Sequence, residues 1–318
     1  DGSLLSVTSA SSNIAIGKSA LSSNTTGISN VAIGVMSLKD NIEGFTNIGI
    51  GSMSLSSNVS GVSNVGIGYS SLRNNRANNN VGVGSSSLGS NVSGKENVAV
   101  GSSSLFSNQA DGNTAVGYHS LLINSTGYHN TALGWSSLDS NVSGKENTSI
   151  GAHSMAVNTL GNDNTAVGRV ALHWNLDGNH NTAVGQGALF ANSSGSENTA
   201  IGDSALNNIE EGYNVGIGKS AGTSLISGTL NTALGYRSDI ANNLTNATAI
   251  GANATVTSSN TIQLGNTDVN LVNTSGVVSA TGFRGSADQT TLTYSGTVTN
   301  VLAVISDLQR QIAELKQL

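Results

Sequence analysis

The 318-residue chain has no cysteine and no proline, and only 9% of its residues are charged and 4% aromatic. The absence of cysteine fits an extracellular protein stabilised by topology rather than by disulfides, and it fits a cytosolic protein equally well. So few aromatic side chains cannot fill one large core, and burial has to come from Ile, Val, Leu and Ala. This composition favours many thin, similar layers over a single thick centre.

Strong charge and long apolar runs are also missing. The formal net charge of -6 is spread thinly, with no basic run that would neutralise a row of phosphates. No segment approaches the roughly 20 apolar residues that cross a bilayer, and the first residues, DGSLLSVTSASSN, lack the basic and apolar regions of a secretion signal. We therefore expect neither nucleic acid binding nor membrane insertion.

Glycine is abundant, with 40 residues, and a short motif that ends in glycine recurs along the chain. The motif is Asn, then Thr, Val or Ile, then a small residue, then Ile, Val or Leu, then Gly. Fourteen copies follow at intervals of 17 residues, with single-residue deletions before Asn80, Asn113 and Asn214. The copies begin at Asn13, Asn30, Asn47, Asn64, Asn80, Asn97, Asn113, Asn130, Asn147, Asn164, Asn181, Asn198, Asn214 and Asn231.

Each copy has further fixed positions. Leu usually stands four residues after the motif Gly, and Asn three residues after that Leu, as in Leu21 and Asn24. A second Gly often follows three residues later, as at Gly27 and Gly144, where we expect left-handed backbone or a tight turn. One copy therefore predicts a strand, a short second strand and a turn.

Alternation within the motif predicts a β-strand with two different faces. Val31 and Ile33 lie on one face and Asn30 and Ala32 on the other, so we expect both sides to be packed. The small residue in every copy predicts close approach of another backbone. Stacked about 4.7–4.9 Å apart, fourteen layers would form a rod on the order of 65–70 Å long, with Asn amides hydrogen-bonded along it.

The pattern changes after residue 235, where the motif Gly moves to Gly251 and then to Gly265. Residues 266–297 predict a β-rich connector. Over residues 298–318, apolar positions alternate spacings of three and four, which predicts a coiled coil. Val or Ile at a and Leu at d favour two strands, so the coil by itself indicates an oligomer rather than a trimer. Its seam is Val298, Val301, Ile305, Leu308, Ile312 and Leu315.

Two parts of the repeat region resemble known families. ATAIGANATVTSSNTIQLGN, residues 247–266, resembles the left-handed parallel β-roll head of trimeric autotransporter adhesins. The NTAVG and NTALG copies are similar to repeats of phage and phage-like tail fibres, and together the resemblances cover residues 13–265. In both families three chains pack around one axis, so the resemblance implies a homotrimer.

The expected fold is therefore an all-β repeat, a trimeric parallel β-roll or β-prism like a solenoid, with a short C-terminal coiled coil. Its parts are a lead-in over residues 1–12, a repeat shaft over 13–245, adhesin-head-like repeats over 246–265, the connector and the coil. Two features depart from the families, since no membrane-anchoring β-barrel follows the coil and the signature of the self-cleaving endosialidase chaperone is absent. We therefore do not expect a complete autotransporter.

No catalytic or metal-binding constellation is expected. His119 and His153 occupy equivalent positions two copies apart, about 10 Å along the stack, and His129 and His180 lie three copies apart, about 14 Å. Neither pair can share a metal ion. Acidic residues repeatedly precede the motif Asn, as Glu96 does, and a tolerated exposed column explains them better than a catalytic pair. We predict a non-enzymatic protein without cofactor or metal.

The residue after the motif Gly varies widely, which indicates an outward-facing column. Aromatic side chains there and at nearby positions would stack on sugars or dock on apolar patches of a receptor. The alternative is that they are ordinary exposed aromatics. The candidate ligand-binding residues are Tyr69, Tyr118, Tyr128, Trp135, Trp174 and Tyr236.

These features predict attachment by a homotrimeric fibre of a phage or phage-like contractile injection system, located outside the cell. Its partners would be a cell-surface glycan or protein receptor and a tail or baseplate protein. A bacterial adhesin head and a structural spacer are alternatives. Ice binding is another, because Thr fills one position in six consecutive copies, from Thr114 to Thr199. Ile or Val holds that position in earlier copies, which predicts a half-buried column instead.

Overall fold

A computed structural model describes residues 9–269 and the strands at 291–294 and 297–300. The chain divides into two compact units, Asp1–Val269 and Asn270–Leu318. The first unit is a parallel β-solenoid whose layers repeat about every 17 residues, as the motif spacing predicted. Every regular element in the described part of the chain is a strand, so no helix there is suited to cross a membrane.

One parallel sheet runs through the whole first unit, and its strands follow the order of the chain. Each strand pairs in register with the next layer, as Ile14 pairs with Val31. We number the layers by the first fourteen strands. The strands are β1 (Ile14–Ile16), β2 (Val31–Ile33), β3 (Ile48–Ile50), β4 (Val65–Ile67), β5 (Val81–Val83), β6 (Val98–Val100), β7 (Thr114–Val116), β8 (Thr131–Leu133), β9 (Thr148–Ile150), β10 (Thr165–Val167), β11 (Thr182–Val184), β12 (Thr199–Ile201), β13 (Val215–Ile217), β14 (Thr232–Leu234), β16 (Thr248–Ile250) and β18 (Ile262–Leu264).

The predicted second strand is present only near the end of this unit. There β15 (Asp239–Ile240) pairs in parallel with β17 (Thr255–Val256). In layers 1–13 the segment after the motif Gly forms turns instead. The reason is the backbone conformation of the Leu that stands four residues after the motif Gly. Leu21 has φ 48° and Leu138 has φ 54°. Left-handed residues cannot continue an extended strand.

The interior of the coil is a narrow column of Leu, Ala, Ser and Asn side chains. Leu38 and its equivalents are fully buried, and Ala32, at the middle of its strand, packs in the same core. The expectation that Ile and Val supply this core is wrong for the strand positions, because Val31 and Ile33 are only half-buried. Since Asn30 and Ala32 point inward, strand alternation directs the β-branched residues outward.

The small residue of the strand accommodates the coil's own side chains rather than another backbone. A Cβ added to Gly49 would lie 2.6 Å from Ser37 Oγ and 3.3 Å from Leu38 Cγ. Close backbone approach occurs at the motif Gly instead. Gly134 has φ 136°, and a Cβ there would lie 2.6 Å from the carbonyl oxygen of Gly151 in the next layer.

Two ladders of buried Asn side chains connect the layers, as the in-register Asn positions predicted. In the first ladder, Asn147 Oδ1 accepts a hydrogen bond from the Asn164 backbone N–H at 3.0 Å, and Asn147 Nδ2 donates to the Gly161 carbonyl at 2.8 Å. In the second, Asn158 Nδ2 donates to Asn141 Oδ1 at 2.8 Å and to the same Gly161 carbonyl at 3.0 Å. Nearly all of the buried Asn groups are therefore paired within the coil. Among the described residues, the buried side-chain atoms without a partner are Asn58 Oδ1, Ser70 Oγ, Ser120 Oγ and Asp139 Oδ1.

The second Gly of each copy serves this ladder. Of the two expected alternatives, left-handed backbone or a tight turn, the first is wrong for Gly27 and Gly144, whose φ angles are not positive. Space is what they provide, because a Cβ on Gly144 would lie 2.6 Å from the amide nitrogen of Asn158. In a 17-residue copy, a side chain in place of Gly144 would displace the Asn ladder.

The single-residue deletions all fall at one corner of the coil. Ala77 and Ala110 replace the second Gly there, and their carbonyls accept from Asn64 Nδ2 at 2.8 Å and from Asn97 Nδ2 at 2.9 Å. The turn contracts while the ladder bonds persist. Sheet register therefore continues through the short copies, with Val65 paired to the first residue of β5.

In the second unit the structure describes one antiparallel pair of strands. β19 (Thr291–Tyr294), within the predicted connector, pairs with β20 (Thr297–Asn300). Val298, the predicted first residue of the coiled-coil seam, lies in β20 and is paired with Thr293. The rest of the predicted seam, from Val301 to Leu315, lies outside the described residues.

Candidate binding edge

One edge of the solenoid concentrates aromatic side chains. It is formed by the turn after the strand, from the first, second, fifth and sixth residues after each motif Gly. We call its populated part, in layers 4–11, the aromatic edge, and it extends on the order of 33 Å along the rod. Its members are Tyr69, Phe106, Tyr118, His119, Trp135, Asp139, His153, His173, Trp174 and Phe190.

Ring contacts run along this edge, both within a layer and between neighbouring layers. Within layer 7, Tyr118 stacks on His119 with centroids 3.8 Å apart and planes at 16°. Between layers 8 and 9, the rings of Trp135 and His153 lie 4.7 Å apart. Because each ring restricts the next, the exposed aromatic groups are held in place without burial.

His173 is the centre of the second half of the edge. Its ring lies 6.3 Å from His153, 5.1 Å from Trp174, and stacks on Phe190 at 5.4 Å with planes at 9°. Its Nδ1 lies 2.9 Å from the carbonyl oxygen of His153, which fixes the ring orientation. Three aromatic groups from three consecutive layers are thus arranged around the His173 imidazole.

Asp139 supplies the carboxylate of the edge. It belongs to layer 8, between His119 in layer 7 and His153 in layer 9. Burial raises the pKa of its carboxyl above the ordinary value of 3.8, although the two imidazoles act in the opposite direction. Its Oδ1 is buried and has no hydrogen-bond partner among the described residues. A carboxylate with this uncompensated solvation cost is typical of a binding site.

Three of the six predicted ligand-binding residues come together here. Tyr118 and Trp135 are 51% and 56% exposed, which confirms the outward orientation predicted for the column after the motif Gly. Trp174, six residues after its motif Gly, is 47% exposed. Tyr69 lies on the same edge, at its N-terminal end in layer 4. Four of the six predicted residues therefore lie on one continuous surface, the aromatic edge.

The other two predicted residues lie elsewhere. Tyr128 is at a different corner, edge-on to His129 at 5.1 Å and with Lys145 Nζ 5.5 Å from its ring centroid. The phenol of Tyr128 raises the pKa of Lys145 above its ordinary value of 10.5. Tyr236 lies in layer 14, beside the guanidinium of Arg237 at 5.3 Å. Neither belongs to the aromatic edge.

Sequence reasoning missed the imidazoles and Asp139 as part of this surface. It compared only equivalent positions, which correctly places His119 and His153 two layers apart. The contact of His153 with His173 joins the second residue after one motif Gly to the fifth residue after the next. Writing the copies beneath one another and comparing these two columns would have found it. In the described ranges, no group of three His, Cys, Asp or Glu side chains is arranged to hold a metal ion.

A second surface is the outer face of the sheet. It is formed by the second and fourth residues of every copy, and we call it the outer sheet face. These residues are Ile, Val, Thr or Leu throughout, so the face carries no charge. Ile16, Leu133 and Ile262 on this face are exposed. Sixteen strands of this width present roughly 700 Å² of flat surface. Of the 32 positions on this face, 24 are Ile, Val or Leu and eight are Thr, and large apolar patches on a protein surface mark interaction sites.

The sequence has no significant match to any protein-family model or to any curated protein. The chain is therefore classified by its fold, as an all-β parallel solenoid repeat protein. Its chemistry has to be argued from the two surfaces themselves.

The aromatic edge combines exposed rings with polar side chains. Pyranose rings present apolar C–H faces, which pack on aromatic rings, and hydroxyl groups, which pair with carboxylates and imidazoles. Trp135, Asp139 and His153 offer these groups within consecutive layers.

Proposed function

We propose that this chain is one protomer of a homotrimeric, non-enzymatic attachment fibre that acts outside the cell as part of a phage or phage-like tail. The outer sheet face would be buried between protomers, and the aromatic edge would bind a cell-surface glycan. The observation that carries the proposal is the presence of both surfaces on one rod: a long aliphatic face and, across the adjoining turn, an exposed aromatic row.

The outward position of the larger aliphatic side chains supports an oligomer in which the outer sheet face is buried. The interior of one coil contains little beyond Leu, Ala, Ser and Asn, whereas Ile and Val, the larger β-branched residues, lie outside. Covering them contributes about 25 cal/mol for each Å² of apolar surface removed from water. The estimated 700 Å² per chain is close to the roughly 800 Å² that each partner contributes to a stable interface.

Three copies of the aromatic edge on one fibre support attachment. A weak site repeated by symmetry binds a surface with an avidity far above its single affinity. The head of a bacterial trimeric adhesin would have the same two surfaces. The two alternatives differ in their attachment partner, because a phage fibre would bind a tail or baseplate protein. A structural spacer would share only the outer sheet face.

Ice binding competes for the same surface. The Thr column from Thr114 to Thr199 lies on the outer sheet face. Of its six Thr residues, Thr131 is exposed and the others are half-buried. An ice-binding face must stay free, whereas the trimer covers it. Thermal hysteresis at high protein concentration would support ice binding, and its absence together with a trimeric mass would exclude it.

Solution mass is the test of the trimer. Light scattering on a sizing column should give three times 31.9 kDa, about 96 kDa, with early elution for that mass. A mass of 31.9 kDa would show a monomeric solenoid and remove the main support for a fibre.

Binding to a glycan array tests the receptor role. Trp135→Ala should reduce binding, whereas Tyr236→Ala, which removes an aromatic side chain from the equivalent column outside the aromatic edge, should leave it unchanged. The two residues are matched in exposure, at 56% and 47%. A chain that binds no glycan and no cells would be the spacer.

A further inference from the structure

A groove of about 220 Å³ lies at the N-terminal end of the aromatic edge. Layer 4 contributes Tyr69, Arg73 and Asn74 to it, layer 5 contributes Gly89, and layer 6 contributes Phe106. The groove is separate from the ring contacts of the edge, which begin with Tyr118 and His119 in layer 7.

Gly89 opens this groove. The neighbouring layers carry Arg73 and Phe106 at the same repeat position. A Cβ added to Gly89 would lie 2.9 Å from Phe106 Cε2, so the phenyl ring covers part of the space that a side chain would occupy. The backbone of Gly89 is not left-handed, so its conformation does not require glycine. What the missing side chain provides is the groove itself.

Arg73 brings an unpaired positive charge to the groove. Among the described residues the ion pairs are Lys39 with Asp40 and Lys219 with Asp203, so Arg73 has no carboxylate partner there. At the edge positions of layers 3–6 the sequence has no acidic residue. In a chain of net charge -6, this is a locally positive surface.

Ser70 gives an independent indication of a ligand. It lines the groove, is only 6% exposed, and its Oγ has no hydrogen-bond partner among the described residues. A buried hydroxyl without a partner is costly, and a ligand that bonds to it would recover that cost.

We propose that this groove binds a saccharide that carries an anionic group. Arg73 pairs with the anion, the rings of Tyr69 and Phe106 pack against the sugar, and Asn74 and Ser70 hydrogen-bond its hydroxyls. Charge-assisted bonds are about twice as strong as neutral ones, so the guanidinium selects acidic over neutral sugars. This inference rests on the proposed attachment function and specifies the ligand class of one part of the edge.

The test is a titration of the full chain followed by saturation-transfer NMR. Methyl β-glucuronide should bind, and methyl β-glucoside, which has a neutral hydroxymethyl group in place of the carboxylate, should bind at least about tenfold more weakly. Glucose 6-phosphate identifies the anion: binding of the glucuronide alone assigns a carboxylate, and binding of both assigns any anionic sugar. Equal binding of glucuronide and glucoside would overturn the proposal and leave glycan attachment intact.

Matched variants locate the site. Arg73→Gln should weaken glucuronide binding about tenfold, whereas Arg76→Gln removes the same charge from the same layer outside the groove and should change it less than about twofold. Gly89→Ser should also weaken binding, and it should fold, because Ser22 and Ser56 occupy the equivalent position in layers 1 and 3. Equal losses in the two arginine variants would show general charge attraction and overturn the site. No binding of any probe, with glycan-array binding retained, would overturn the groove alone.

Discussion

At the scale of single residues, buried Asn amides provide polar bonds between the layers. Asn147 shows the arrangement: its Oδ1 accepts from both the backbone and the side-chain nitrogen of Asn164, at 3.0 and 3.2 Å. Its Nδ2 donates to Asn130 Oδ1 at 3.2 Å and to the Gly161 carbonyl at 2.8 Å. Hydrogen bonds of this kind matter most through the groups left unpaired when one is removed.

Asn147→Ala should therefore lower the free energy of unfolding by about 2–3 kcal/mol, because it leaves the buried Asn164 N–H without an acceptor. Asn74→Ala is the control, since Asn74 is exposed and outside the ladders. Guanidinium unfolding followed by circular dichroism measures both. A loss below about 0.5 kcal/mol for Asn147→Ala would mean that water replaces the ladder bond.

Asp139 couples stability to pH. Because its pKa is raised in the folded state, the folded protein holds this proton more tightly than the unfolded chain does. The resulting stabilisation is complete below pH 3.8 and is lost as the pH rises through the raised pKa. Asp139→Asn, which is neutral at every pH, should therefore unfold at a higher guanidinium concentration than the wild type at pH 7. The difference should disappear near pH 3, and a difference independent of pH would contradict a titration effect.

At the scale of the repeat element, the motif Gly sets the distance between layers. Gly134→Ala should cost at least about 3 kcal/mol, because its Cβ would meet the Gly151 carbonyl and its backbone conformation is restricted to glycine. Gly187→Ala is the matched control. Gly187 is also left-handed, at φ 64°, but a Cβ there would find its nearest neighbour 3.8 Å away, at Ser204 Oγ. Its cost should be about 1–2 kcal/mol. Thermal unfolding compares them, and equal costs would show that backbone strain alone decides.

The repeat allows much of this element to be predicted from sequence. Alternation gives the strand, and columns of identical Asn give the ladder. The face that Val31 and Ile33 occupy was not predictable from alternation, because both faces of the motif carry apolar or small residues. Nor was the path after the strand, since Leu at left-handed φ, as in Leu138, is unfavourable locally and is imposed by packing in the coil. The contact of His153 with His173 depends on that path, so the site could be predicted only as a column of aromatic residues.

At the scale of the whole molecule, the proposed trimer would have its interface at the outer sheet face. Ile67→Lys places a charge on this face and should reduce the mass of the proposed trimer to that of the monomer, because burying unpaired ammonium groups costs several kcal/mol. Ile42→Lys is the control, as Ile42 lies outside the sheet and is similarly exposed, 43% against 38% for Ile67. Light scattering distinguishes them. A trimer that survives Ile67→Lys with unchanged mass would place the interface elsewhere.

The short copies have a consequence for how the chain finds its register. Because the copies are nearly identical, alternative strand pairings have almost the same free energy. A strand that pairs one layer too far loses contacts only at the ends of the stack. The contracted corners at Ala77 and Ala110 break this degeneracy, since a slipped chain would set a 16-residue turn against a 17-residue one. The irregular spacing therefore fixes which layers can pair with each other. In a solenoid with perfect periodicity, a chain shifted by one layer would match its neighbours equally well except at the ends.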